Sequence, residues 1–393
     1  MRSHASLLTV MAVSSVATAA VLIPPASADH PRSSSTPSVT HEGCAPKLDV
    51  DVGSPQRRIE VSRGVEAMRW LAVDQDGQKV PIVAVAMHRG AGRVLPMASR
   101  GLEPENPLDV LSSRTLAVTS GGLFRQWSQD LAAPVGTVVM GDRSPIGSAR
   151  WARVLAVDDT GALRYTRVRL EIDARIGGNS IRVRSIASYP DDALSTEVLT
   201  GDWTPTVPPS ATKATFVMRD STVLRRTKRD EAVQLRARDW VLRTSDRAII
   251  AQVRPGMSAT LAVSPVARDG LPVLHAAGHL GVILKGNRVV KLCSDYEQLK
   301  RPRSLIAWNE EGTVWFIVAG TRLPDSASGI RVGGATKTQL AEFAKSLGAR
   351  GAVAMDGGGS SILGIRQGDR AVRLDSGSGN YVRPLPLVWA FSR

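Results

Sequence analysis

Asp356-Gly357-Gly358-Gly359-Ser360-Ser361 is the segment of this sequence best equipped for chemistry. A carboxylate follows a short apolar run, Gly351 to Met355, and precedes three glycines and two serines. Consecutive glycines let a ligand approach the main chain closely, and successive N–H groups in such a turn can cradle an anionic oxygen. The competing reading is a plain glycine turn in which Asp356 and Ser360 satisfy nearby backbone groups. The segment lacks the Lys-Ser/Thr ending of a triphosphate-binding loop and the G-x-S-x-G order of a nucleophile elbow. With no His or Lys beside them in the sequence, Ser360 and Ser361 read as groups that orient Asp356 or a ligand rather than as nucleophiles. His279 is a candidate acid or base, since imidazole titrates near neutrality. A lone His in an apolar stretch is also commonly a hydrogen-bonded packing residue.

The elements that must position these groups are mostly strands. Val61–Val73, the Asp76-Gly77 turn and Val80–Met87 read as one hairpin. Trp151–Val157 with Ala162–Leu170 around Asp158–Gly161, and Leu305–Trp308 with Thr313–Val318 around Asn309–Gly312, read as two more. In each, glycine supplies the positive φ that the turn needs. Asp74–Gly77 lacks the later ligands and closing Glu of a calcium loop. One helix is clear: Thr336-Lys337-Thr338-Gln339 is a capping box, Leu340, Phe343, Ala344 and Leu347 follow at helical spacing, and Gly348 ends it. The fold class expected is α+β, a β-rich domain with few helices.

The chain has 393 residues, is 43% hydrophobic and 22% charged, and carries a net charge of +14. These fractions exclude wholesale disorder. The basic balance suits anionic partners such as cell-wall polymers, and equally suits simple solvation in an Arg-rich sequence. No basic run with interleaved aromatics or nucleic-acid module signature is present, so no nucleic-acid partner is expected. Arg2 and His4, an apolar stretch from Leu7 to Ile23 and the Ala26-Ser27-Ala28 site read as a signal peptide over 1–28; an uncleaved anchor is the alternative. The expected organisation continues with a flexible Ser/Pro-rich linker over 29–56 and one domain over 57–393. The protein is thus expected to be secreted, extracellular or wall-associated, with no integral membrane span after cleavage. There Cys44 and Cys293 can pair as a disulfide or stay as two thiols.

The helix and strand leading to Asp356–Ser361, together with Lys345–Ala349 before them and Arg383-Pro384-Leu385 after them, resemble the phosphodiester glycosidase family. Upstream, Arg301–Ala307 resembles the family's R-P-R-T-A-I-G strand, and Ser120-Gly121-Gly122-Leu123-Phe124 its N-G-G-F-F segment. The anchors run in the family's order from about residue 114 to the C-terminus. Three positions depart from the pattern: Ser120 replaces Asn, Ala319 replaces Asp in a V-D-G-R segment, and His279 stands where glycine is usual.

The resemblance implies an exported hydrolase that cleaves the glycosidic bond of a sugar-1-phosphodiester in an envelope or extracellular glycan. It would release the sugar and a phosphomonoester. Phosphate leaves readily, so the site needs an anion pocket and a group to stabilise an oxocarbenium-like centre. Asp356 and Arg303 are then the catalytic candidates. Asp356 would stabilise the sugar cation, activate water or hold a sugar hydroxyl. Ser120, Gly121, Gly122, Gly357, Gly358, Gly359, Ser360, Ser361 and Arg383 would bind substrate, the arginines through bidentate guanidinium–phosphate contacts. For either arginine a structural ion pair is the alternative. Trp127 is a candidate for stacking on a sugar. No cofactor and no metal is required by any ligand spacing. Ser120 and Ala319 also motivate a second reading: a non-catalytic binding protein for an anionic wall polymer or exopolysaccharide.

Overall fold

The strand Gly351–Ala354 shows how the molecule is layered. Successive side chains of a strand point to opposite faces, and here Ala352 and Ala354 face one apolar cluster while Val353 and Met355 face another. The alanine face is covered by the helix Lys337–Ser346, whose Leu340, Phe343 and Ala344 enter the same cluster. Small residues under the helix leave room for large ones at its edge, where Trp70 meets Phe343 edge-on with ring centroids 5.2 Å apart. The other face packs on a second sheet, with Phe316 stacked on Phe391 at 3.7 Å. Such an aromatic pair is worth about 1 kcal/mol beyond its burial.

The computed structural model describes residues 48–99, 103–126, 132–187, 196–290, 292, 294–322, 332–375 and 382–393. These residues belong to one unit spanning 43–393. The signal segment 1–28, Cys44, Cys293 and Trp127 lie outside the described residues. Among the described residues, no helix is long and apolar enough to cross a membrane.

The helix-covered sheet has eight strands. Its order is Arg57–Ser62, Val65–Val73, Lys79–Met87, Val314–Ala319, Arg303–Trp308, Gly351–Ala354, Gly281–Lys285 and Arg288–Val289. The facing sheet has five: Arg370–Arg373, Leu363–Gln367, Thr115–Ser120, Leu387–Ser392 and Arg93–Ala98. A twelve-stranded sheet includes Ala152–Val157, Leu163–Ile176 and His275–Gly278. The β-rich fold with few helices is therefore observed. All three expected hairpins pair antiparallel, and Gly77, Gly161 and Gly312 have φ of 72°, 84° and 85°. The capping box forms as well: Gln339 N–H donates to Thr336 Oγ1 at 3.1 Å and Thr336 N–H to Gln339 Oε1 at 2.9 Å. Such a cap contributes about 1 kcal/mol.

Two boundaries differ from expectation. The run Val61–Val73, read as one strand, is broken at Gly64 (φ 74°) between the antiparallel strands Arg57–Ser62 and Val65–Val73. The stretch read as linker up to residue 56 is packed from Leu48 onward. Asp49 pairs with Val73, Trp70 Nε1 donates to the Val52 carbonyl at 3.2 Å, and Leu48, Val50 and Val52 pack on the helix-side cluster. This single bridge and the indole hydrogen bond tie residues 48–52 to the strand Val65–Val73.

Candidate active site

Asp356 stands just past the end of Gly351–Ala354, an interior strand of the eight-stranded sheet. Two neighbouring segments fix its main chain. Asp356 N–H donates to the Gly121 carbonyl at 2.9 Å, and Ser120 Oγ donates to the Asp356 carbonyl at 2.9 Å. On the other side Met355 N–H donates to Ser304 at 2.9 Å and Gly358 N–H to Pro302 at 2.8 Å. The carboxylate is thus held at a junction between the two layered sheets. Burial is the largest influence on it and lifts its pKa above the ordinary carboxylate value. The Ser360 hydroxyl, the Gly357 N–H (3.0 Å to Oδ1) and the charge of Arg383 pull it partly back.

The glycine turn is less open than its sequence suggests. Gly357 N–H is taken by Asp356 itself and Gly358 N–H by Pro302. Ser360 and Ser361 N–H close a 3-10 turn onto Gly357 and Gly358. Gly359 is the exposed residue of the turn, and among the described residues its N–H takes no backbone partner. The expectation of three glycine donors is therefore corrected to one. Gly358 is needed for its φ of 61°. Gly357 is needed because a Cβ there would lie 3.0 Å from the Pro302 carbonyl.

The two arginines flank this turn differently. Arg383 is exposed, donates from Nη1 to Ser360 Oγ at 3.2 Å and lies over the Phe124 ring at 5.1 Å. Arg303 is buried, and its Nη2 donates to the Leu299 carbonyl at 2.9 Å. Its side chain runs beneath Gly357, whose Cβ position is 3.8 Å from Arg303 Cδ. Ser361 is buried, and among the described residues its Oγ has no hydrogen-bond partner. Ala319 sits opposite Arg303 in the antiparallel register and is fully buried.

Ser120, Gly121 and Gly122 are correctly placed beside Asp356 but do not form a ligand-facing surface. All three are buried. A Cβ on Gly121 would lie 2.6 Å from the Leu387 carbonyl, and one on Gly122 would lie 2.3 Å from the Gly278 carbonyl. Their smallness lets three backbones cross, so they position Asp356 rather than contact substrate. His279 follows Gly278 directly, yet its ring lines a cavity to which none of the Asp356 group contributes. Burial, and then Arg153, push its pKa down to about 4, so it is neutral near pH 7. Phe124, which fixes Arg383, was missed in the sequence although it closes the Ser120–Phe124 segment. Among the described residues no group of three or more His, Cys, Asp or Glu could hold a metal.

Residues 198–391 match the model of the phosphodiester glycosidase family. The resemblance carried by the Asp356–Ser361 block is thereby borne out over that part of the chain. No curated protein matches the sequence. Among solved structures, a hypothetical protein from Synechocystis is similar at TM-score 0.66 and 18% identity, over 88% of this chain and 68% of that one. A protein from Burkholderia pseudomallei, described as exported, is similar at TM-score 0.62 and 14% identity, over 81% and 75%. At these identities the likeness concerns the fold. The catalytic domain of zebrafish N-acetylglucosamine-1-phosphodiester α-N-acetylglucosaminidase, auto-inhibited by its pro-peptide, aligns at TM-score 0.42 and 11% identity over 88% and 89%.

Proposed function

We propose that the protein is an exported hydrolase cleaving the glycosidic C–O bond of a sugar-1-phosphodiester in an envelope or extracellular glycan. The family match supports hydrolase chemistry of this class. The observation that carries the reading is the half-buried Asp356 carboxyl near the exposed Gly359, whose N–H takes no backbone partner among the described residues, and the Arg383 guanidinium. In this mechanism Arg383 and the Gly359 N–H hold the phosphate oxygens as the C–O bond breaks. Charge-assisted donors aimed at a developing anion are commonly the largest catalytic contribution. Arg303, beneath the turn, adds positive potential without needing to reach the substrate. Asp356 acts in its ionised form, facing the oxocarbenium-like carbon or taking a proton from water.

The test is release of free sugar from a panel of sugar-1-phosphodiesters by wild type, Asp356→Ala and Arg383→Ala. Turnover is expected from the wild type, with losses of about 10³-fold for Asp356→Ala and about 10²-fold for Arg383→Ala. Full turnover by Asp356→Ala would sink the assignment. Ala319, standing where the family pattern has a carboxylate, favours the second reading, a non-catalytic binder of anionic glycan. Binding of purified anionic wall polymer with no release from any substrate would install that reading instead.

A further inference from the structure

The cavity beside His279 has a volume of about 520 Å³, within the range of small-ligand sites. Arg153, Arg167, Arg268 and Lys285 line it, with Tyr165 and His279. Its lining acid, Asp269, is engaged elsewhere, accepting from Arg164 Nε at 3.1 Å. None of the four cations has an ion-pair partner among the described residues. Arg153 and Arg167 stand directly opposite each other in the antiparallel register. Like charges so placed are destabilising unless something compensates them. Behind them is apolar surface: Val282 lines the cavity, and the Tyr165 ring lies 6.4 Å from that of Trp308. His279 Nδ1 is buried without a hydrogen-bond partner among the described residues.

We propose that this cavity is a second binding site, distinct from Asp356, for a sugar residue bearing a phosphate or carboxylate group. The paired arginines take the anion, which removes their mutual repulsion. Tyr165 and Val282 lie against the apolar face of the ring, and the neutral imidazole of His279 offers one hydrogen bond to a hydroxyl. The size of the cavity suits one or two rings rather than an extended nucleic-acid strand. The site would hold a polyanionic glycan by a unit other than the one reaching Asp356.

Calorimetric titration of full-length wild type and of Asp356→Ala tests this without dependence on turnover. The probes are glucose 6-phosphate, glucuronate, glucose, inorganic phosphate and a single-stranded oligonucleotide. Both proteins are expected to bind one or both anionic sugars at least tenfold more tightly than glucose or inorganic phosphate, with affinity falling as salt rises. The two sugars separate phosphate from carboxylate recognition. The double variant Arg153→Ala/Arg167→Ala should lose binding at least tenfold, and Lys285→Ala should lose severalfold. All three side chains are exposed, and circular dichroism melting checks that the variants fold. Undiminished binding by the double variant overturns the proposal. So does equal binding of glucose, absence of binding by every probe, or tighter binding of the oligonucleotide through the same arginines. Because nothing here requires cleavage, the outcome is independent of the sugar-release assay.

Discussion

Asp356 and Asp375 are two carboxylates that burial raises above the ordinary range, and their surroundings treat them in opposite ways. Asp375 is saturated. It accepts from Leu363 N–H at 2.9 Å and from Arg373 through Nε at 3.2 Å and Nη2 at 2.8 Å. Asp356 accepts from Gly357 N–H at 3.0 Å, while the nearest arginine on the open side, Arg383, donates to Ser360 rather than to the carboxylate. A buried charge fully claimed by its own protein closes a structure. One held by a serine hydroxyl and a single N–H, beside an exposed arginine that makes no ion pair with it, is poised for a ligand. The sequence around each is acidic residue plus small neighbours, so the distinction lies in partners and not in residue type.

The largest expected effects divide along that line. Asp356→Asn should lower kcat/KM by about 10³-fold, equivalent to about 4 kcal/mol of transition-state stabilisation, with the fold intact by circular dichroism. Asp375→Ala should do the reverse. Leaving the Arg373 guanidinium and the Leu363 N–H without their acceptor should cost about 3 kcal/mol of stability, seen as a lower denaturation midpoint. The remaining folded molecules should turn over normally. If Asp375→Ala lowered turnover of folded protein as much as Asp356→Asn, the comparison would fail.

A smaller effect separates glycines that pack from glycines that serve a ligand. Gly122→Ala would push a methyl to within 2.3 Å of the Gly278 carbonyl, a backbone group that cannot step aside. A cost of about 2 kcal/mol or more is expected, from overpacking. Gly359→Ala meets nothing nearer than Arg383 Nη1 at 3.9 Å. It should change stability by less than about 0.5 kcal/mol while raising KM in the sugar-release assay. A thermal melt and a Michaelis curve on each variant give both numbers.

Local signals made much of this molecule legible. The three hairpin turns, the capping box at Thr336 and the strand ending at Asp356 each depend on residues adjacent in sequence, where turn chemistry and periodicity act directly. The apolar residues Leu48, Val50 and Val52, alternating with acids, were also readable as a packed segment despite the polar stretch before them. What could not be read is pairing at a distance. That Pro302 takes the Gly358 N–H, that Gly278 leaves no space beside Gly122, and that Ala319 faces Arg303 follow from sheet order. Sheet order is set by the sum of many weak strand preferences. The Arg153–Arg167 pair was within reach, because a hairpin turning at Asp158–Gly161 forces the two into register.

The subtlest prediction concerns what Asp356 costs the fold. Its pKa is raised in the folded state, so the folded protein holds this proton more tightly than the unfolded chain. The resulting stabilisation is fully present below the unfolded carboxylate value of about 3.9. It is lost as pH rises through the lifted folded value. Asp356→Asn keeps an oxygen to accept from Gly357 N–H but cannot ionise. Its stability relative to wild type should therefore be unchanged near pH 3 and should improve as pH rises toward 7. Asp375 titrates in both proteins and cancels from the difference. Melting curves of the pair across this range measure the gap directly. A gap that stays flat with pH would mean that the Asp356 carboxyl is as comfortable ionised in the folded protein as in water. The contrast with Asp375 would then rest on partners alone and not on a charge held at a cost for the sake of reactivity.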